Sequence, residues 1–92
     1  MNLSNYERGT AERAIENGYK YAARDSYGRL MFYRIMPTKI ERGWSVESRY
    51  DYLDYSHKLF GKEEDFAFIK DTDKEPWELK KILREQENQK ND

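Results

Sequence analysis

The residues with the most chemical potential are the tyrosines and aspartates of Tyr50-Asp51-Tyr52-Leu53-Asp54-Tyr55. A tyrosine offers a large, nearly rigid contact area with a polar tip, and such rings concentrate in the centres of protein interfaces. Interleaved with Asp51 and Asp54, the rings of Tyr50, Tyr52 and Tyr55 would form an acidic aromatic face. That face would suit a basic partner, such as the nucleic-acid-binding groove of another protein. The same residues also fit a plainer use, with Tyr50 and Tyr52 capping a sheet while the carboxylates keep it soluble. A second constellation interleaves Lys20, Arg24, Arg29 and Arg34 with Tyr27 and Tyr33. Cations beside stacking rings on a sheet are how single-stranded nucleic acids are held. No glycine-rich RNA-binding run accompanies them, and the neighbouring Tyr19, Tyr21 and Phe32 are needed for a core.

Other chemistry finds little support. His57 is the single histidine, and Ser56 beside it with Asp54 nearby does not make a nucleophilic triad, whose members must converge in space. The chain has no cysteine, which excludes disulfides, thiolate zinc sites and a cysteine nucleophile. Glu63, Glu64 and Asp65, followed by Asp71 and Asp73, lack the spacing of a calcium loop and read as a solvated acidic turn. No catalytic residue, metal or cofactor is expected, and the chain reads as a non-enzyme.

Composition sets the physical limits. With 92 residues, 37% of them hydrophobic and 38% charged, a single domain with a thin core is expected. The 15% aromatic fraction compensates, because each buried ring removes roughly 150–250 Å² from water. Such a chain is expected to present a flat or convex face rather than enclose a small-molecule pocket of roughly 300–1,000 Å³. Net charge is −1 and unevenly spread. Residues 1–49 hold nine Lys+Arg against six Asp+Glu, and residues 50–92 hold eight against twelve. Met1-Asn2-Leu3-Ser4-Asn5 lacks the features of a signal peptide, and no apolar run nears the ~20 residues that cross a bilayer. A cytoplasmic, membrane-free protein is expected.

The elements that must position these residues follow from pattern. Ser4-Asn5-Tyr6-Glu7 fits a capping box, and Asn17-Gly18 supplies a helix stop, with Thr10 an alternative start because Gly9 lies inside. Tyr19 to Arg24 and Arg29 to Met36 alternate around Asp25-Ser26-Tyr27-Gly28 and predict a β-hairpin whose second strand is central. Lys39 to Gly43 reads as a connector, and Trp44 to Tyr52 alternates as a third strand. Residues 51–60 fit a short helix or an ordered loop. Phe66-Ala67-Phe68-Ile69 reads as a short buried strand. A helix is expected after Thr72 or Asp73, with Pro76 in its first turn and Trp77, Leu79, Ile82 and Leu83 inward.

The prediction is therefore an α+β fold: a small antiparallel sheet of three to four strands flanked by an N-terminal and a C-terminal helix. Residues 1–84 form the domain, and the polar stretch 85–92 is expected to fray. Tyr21, Leu30, Phe32, Ile35, Phe68 and Leu83 are expected to form the core. Short strands with an uncovered edge allow a weak homodimer beside the monomer.

Two segments carry a resemblance. Tyr21-Ala22-Ala23-Arg24-Asp25, with Gly28 and Leu30, is similar to a Y-x-A-R-D-x-x-G-x-L hairpin of small uncharacterised proteins encoded by phages and prophages of Gram-positive bacteria. Phe66 to Trp77 resembles their apolar strand followed by an acidic E-P-W step. Together the segments cover about a third of the chain. The resemblance implies a phage accessory gene expressed in bacterial host cytoplasm, and it carries no activity or functional residues with it. Size and the missing catalytic motifs then favour binding to a host or defence protein, for instance blocking a nuclease. The alternative is a small nucleic-acid binder using the basic hairpin.

Overall fold

The computed structural model describes residues 3–55 and 65–90, with side chains as far as Glu85. His57, Ser56 and residues 56–60, 63 and 64, discussed above, lie outside these. The capping box forms: the Ser4 hydroxyl accepts from the Glu7 amide at 3.0 Å, and the Ser4 amide donates to Glu7 Oε1 at 2.9 Å. Helix α1 (Asn5–Glu16) therefore starts at the first candidate cap and runs through Gly9. It ends at Asn17, where Gly18 takes a φ of +92° and the Tyr19 amide donates back to the Ala14 carbonyl.

The hairpin follows as strands β1 (Tyr21–Arg24) and β2 (Leu30–Tyr33) in antiparallel register, Ala22 opposite Phe32 and Arg24 opposite Leu30. Its loop is organised by Asp25, whose Oδ1 accepts from the amides of Tyr27 and Arg29, both at 2.9 Å. Gly28, at a φ of +85°, completes the turn. The residues read as a connector pair instead as a two-stranded ribbon, β3 (Thr38–Ile40) with β4 (Gly43–Ser45). The ribbon docks on the hairpin loop: the Arg42 carbonyl accepts from Ser26, and the Trp44 indole donates to the Arg24 carbonyl at 3.1 Å.

The expected third strand is interrupted. Ser48 caps a 3-10 turn at Arg49–Asp51, and pairing with β2 resumes only in β5 (Tyr52–Asp54). Strand β6 (Trp77–Glu78) pairs with β1, so Trp77 lies on a sheet edge and helix α2 (Leu79–Lys90) begins two residues later than Trp77. The backbone of α2 is helical to Lys90, into the stretch expected to fray. The fold is α+β: a four-stranded antiparallel sheet in the order β5-β2-β1-β6, with a helix at each end of the chain and the ribbon as a second sheet. β2 is central, as its two apolar faces predict.

One sheet face carries the core. Ala11 and Ala14 of α1, Leu79 and Ile82 of α2, and Ala22, Leu30 and Phe32 of the hairpin form a single buried cluster with Tyr55, Phe66 and Ile69. Leu30 and Phe32 are fully buried as expected, whereas Tyr21, Phe68 and Leu83 are half-buried. Ile35 is 57% exposed, because β2 ends at Tyr33 before its alternation reaches that position.

Phe66 to Ile69 is not a strand. It is a tight turn in which the Ile69 amide donates to the Phe66 carbonyl and Phe66 sits at a φ of +55°. An L-residue in that region costs roughly 1–2 kcal/mol. Two distant side chains hold it. Glu7 Oε2 accepts the Phe66 amide, and Arg24, 9% exposed, donates to the carbonyls of Ile69 and Gly28 at 2.8 Å, Asp65 at 2.9 Å and Phe66 at 3.2 Å.

Phe32→Ala should cost about 3–5 kcal/mol, read from chemical denaturation, since the ring packs against both Tyr55 and Phe66. A near-native midpoint would show that the hairpin is not central to the core. Arg24→Leu should destabilise by about 3 kcal/mol or more, because it strands several buried carbonyls. Amide exchange at Ile69 should then accelerate before exchange within β1 and β2. Uniform loss of protection would assign Arg24 no special hold on the turn.

Candidate functional site

The proposed acidic aromatic face does not assemble as one surface. Tyr50 projects from the 3-10 turn and is 76% exposed, with Asp51 half-buried beside it. Their backbone is fixed by Arg34, whose amide donates to the Asp51 carbonyl at 2.7 Å and whose guanidinium donates to the Tyr50 carbonyl at 2.9 Å. Tyr52 and Asp54 lie opposite Tyr33 and Met31 in the sheet, on the face away from the helices. Tyr55 is a core residue: it is 5% exposed, its ring lies 5.3 Å from that of Phe32, and its hydroxyl donates to Asp65 at 3.0 Å. Alternation alone could not reveal this, since the partners of Tyr55 come from distant segments.

The basic hairpin is dispersed too. Arg24 is buried, committed to backbone carbonyls. Arg29 donates to Asp25 Oδ2 at 2.8 Å and stands over the exposed Tyr27 ring. The hydrogen bond and charge of Asp25 raise the Arg29 pKa. Arg34 lies over the Tyr19 ring at 4.5 Å, and Lys20 is exposed at the start of β1. Tyr33 is 2% exposed.

What the fold does build is a grooved sheet face. Met31, Tyr33 and Tyr52 form the floor of a groove of about 390 Å³, walled by Ile40, Trp44 and Val46 of the ribbon and its exit, with Tyr27, Arg29 and Arg42 among its other lining residues. The expectation of a flat or convex face is thereby corrected: packing the ribbon against the hairpin loop leaves a trough between two layers that touch at one end. A second groove of about 280 Å³ shares Ser45 and Val46 with the first and adds Ile35, Met36, Glu47 and Asp51. The ribbon was the missed element. Its signal was the Glu41-Arg42 turn with Gly43 directly after it.

Among the described residues no group of three His, Asp or Glu is placed to hold a metal ion, and no helix is long and apolar enough to cross a membrane. Comparison of the chain with known family models, curated proteins and solved structures found no match. Fold and surface together define a small α+β protein with a ring-lined, grooved sheet face.

Two buried tyrosine hydroxyls resist ionisation. Burial, assisted by the charge of Asp25, pushes the Tyr33 pKa up to about 12, and burial with hydrogen bonds to Tyr6 and Asp65 pushes Tyr55 up as well. Raised values mean that the folded state favours the protonated form. Their stabilising contribution is full below the ordinary tyrosine pKa near 10 and is lost for Tyr33 as pH rises through about 12. A late tyrosinate phase coinciding with loss of the near-ultraviolet circular dichroism signal is expected in an alkaline titration. Tyr33→Phe should shrink that phase and move alkaline unfolding to higher pH, whereas an unchanged profile would show that burial of Tyr33 does not couple to folding.

Proposed function

We propose that this chain is a non-enzymatic binding protein that docks another protein across its grooved sheet face. The supporting observation is the contiguity of exposed apolar groups with the two grooves. Ile35 and Met36, 57% and 58% exposed, line the second groove, and Ile40, 50% exposed, lines the first. Asp51 lines the second groove as well, and its neighbour Tyr50 is exposed. Monomeric proteins seldom leave such groups clustered unless they mark an interaction site. Glu47 and Asp51 make the rim acidic at the Ile35–Met36 end. The fitting partner therefore presents an apolar ridge flanked by Lys or Arg. Under the resemblance to phage accessory proteins, that partner would be a host or defence protein with a basic surface, such as a nuclease.

Photo-crosslinkers placed at Met36 and Tyr50, with one at Glu12 on α1 as a control, test this directly in nuclease-treated host lysate. One partner should crosslink from positions 36 and 50 and not from 12. Tyr50→Ala should weaken its binding by about 2 kcal/mol if the ring is a hot spot. Asp51→Lys should slow association, most at low salt. Equal crosslinking from Glu12, or no protein crosslinked from positions 36 and 50 in the nuclease-treated lysate, would overturn the proposal.

A further inference from the structure

At the other end of the sheet, the start of β1, the end of α1 and the start of α2 enclose a hollow of about 280 Å³. Its lining includes Tyr19, Lys20, Tyr21, Glu78, Lys80 and Arg84. The Leu79 amide donates to the Lys20 carbonyl at 2.9 Å, which fixes the α2 start against β1. The cations are placed at a cost to the fold. Lys80 and Arg84 are four residues apart on one helix, a spacing at which like charges destabilise it. Lys80 also stands in the first turn of α2, which carries no acidic residue, where the helix dipole favours anions. Lys20 brings a third positive charge from the residue before β1, and Glu78 is the one carboxylate among the hollow's lining residues. A bound anion would turn each of these costs into an attraction.

The rings decide the rest of the ligand. Tyr19 and Tyr21 border the cations, and the Arg34 guanidinium stacks 4.5 Å from the Tyr19 ring centroid. Base-on-ring stacking beside a cationic cradle is the recurrent means of holding a nucleotide unit. The volume, near the lower end of small-molecule sites at roughly 300 Å³, suits one such unit rather than a larger cofactor. We infer that this hollow binds a nucleoside phosphate, with Lys20, Lys80 and Arg84 on the phosphate and Tyr19 or Tyr21 against the base. This site is separate from the grooved face proposed for the protein partner, since the two share no lining residue. The same chemistry could arrive as a free nucleotide or as one unit of a single strand.

Amide chemical-shift titration of the whole chain with three probes tests the inference: a nucleoside monophosphate, inorganic phosphate and a short oligothymidylate. Saturable shifts confined to Gly18–Tyr21 and Glu78–Arg84 are expected with the nucleotide, tighter than with phosphate. Binding tighter for the oligonucleotide, with a log–log salt slope of about −0.7 per phosphate engaged, identifies a strand as the source. Binding no tighter than the mononucleotide identifies free nucleotide. The double substitution Lys80→Glu with Arg84→Glu should weaken binding at least about tenfold, because it removes two charge-assisted contacts, while circular dichroism remains helical. Lys70→Glu, at an exposed position after the Phe66–Ile69 turn and outside this hollow and both grooves, should leave it unchanged. No shifts, equal affinity for inorganic phosphate, or equal loss in Lys70→Glu would each overturn the inference.

Discussion

A guanidinium carries five N–H donors in a rigid plane and stays charged at any pH a protein survives. Arg24 spends these donors on the backbone carbonyls of Ile69, Gly28, Asp65 and Phe66. Burying a cation is costly unless its hydrogen bonds are satisfied, and carbonyl dipoles converging on it supply that compensation. The arrangement also works in reverse. A turn that points several carbonyls into a core needs a donor with this geometry, and lysine, with a compact ammonium, cannot span the same set. Glu7 completes the tie by accepting the Phe66 amide while closing the cap of α1. One arginine and one glutamate thus couple the first helix, the hairpin and a turn some 40 to 60 residues away.

That coupling lets a polar chain form a core. Phe66 and Ile69 are both fully buried, although only the strained turn positions them. Phe66 packs edge-on to Phe32, Tyr55 and Phe68, and Phe68 in turn meets Trp77. The aromatic series runs from the central strand to the sheet edge and substitutes for aliphatic bulk. Ala11, Ala14 and Ala22 serve the opposite need, since small side chains let helix and sheet approach closely enough for the rings to fill the remaining space.

The same facts explain which parts of the fold could be read from the sequence. The α1 cap, its Gly18 stop, the Asp25–Gly28 hairpin and the Leu79–Ile82 stripe were legible, because each signal lies within a few residues of the structure it specifies. Phe66 to Ile69 was not. A short apolar run fits a strand or a buried turn equally, and here Arg24 and Glu7 decide between them from far away. The break at Ser48 was a local signal overridden in the reading by the alternation of Trp44 to Tyr52. Of the candidate site, Tyr50 and Asp51 stay near the surface, Tyr52 and Asp54 turn to the sheet's outer face, and Tyr55 joins the core. Sequence proximity grouped residues that the 3-10 turn separates. It also separated Lys20 from Lys80 and Arg84, which only the pairing of β6 with β1 brings to one hollow.

The outer sheet face follows from the same economy of apolar residues. Once the helices and the turn cover one face, a ribbon of two three-residue strands is what the described residues offer the other. It is pinned by the Trp44 indole on the Arg24 carbonyl and by Ser26 on the Arg42 carbonyl, while the Lys39 ammonium over the Trp44 ring at 4.7 Å ties its own two strands together. Gly43 permits the approach, since a Cβ there would lie 3.1 Å from that of Asp25. Tyr33 and Ala23 on this face are buried, whereas Ile35, Met36 and, on the ribbon itself, Ile40 stay exposed. Those side chains contribute little to folding where they stand, at roughly 25 cal/mol for each Å² left in water. Polar substitutes would serve solubility better, so these three side chains are the feature on which the proposed docking of a protein partner rests.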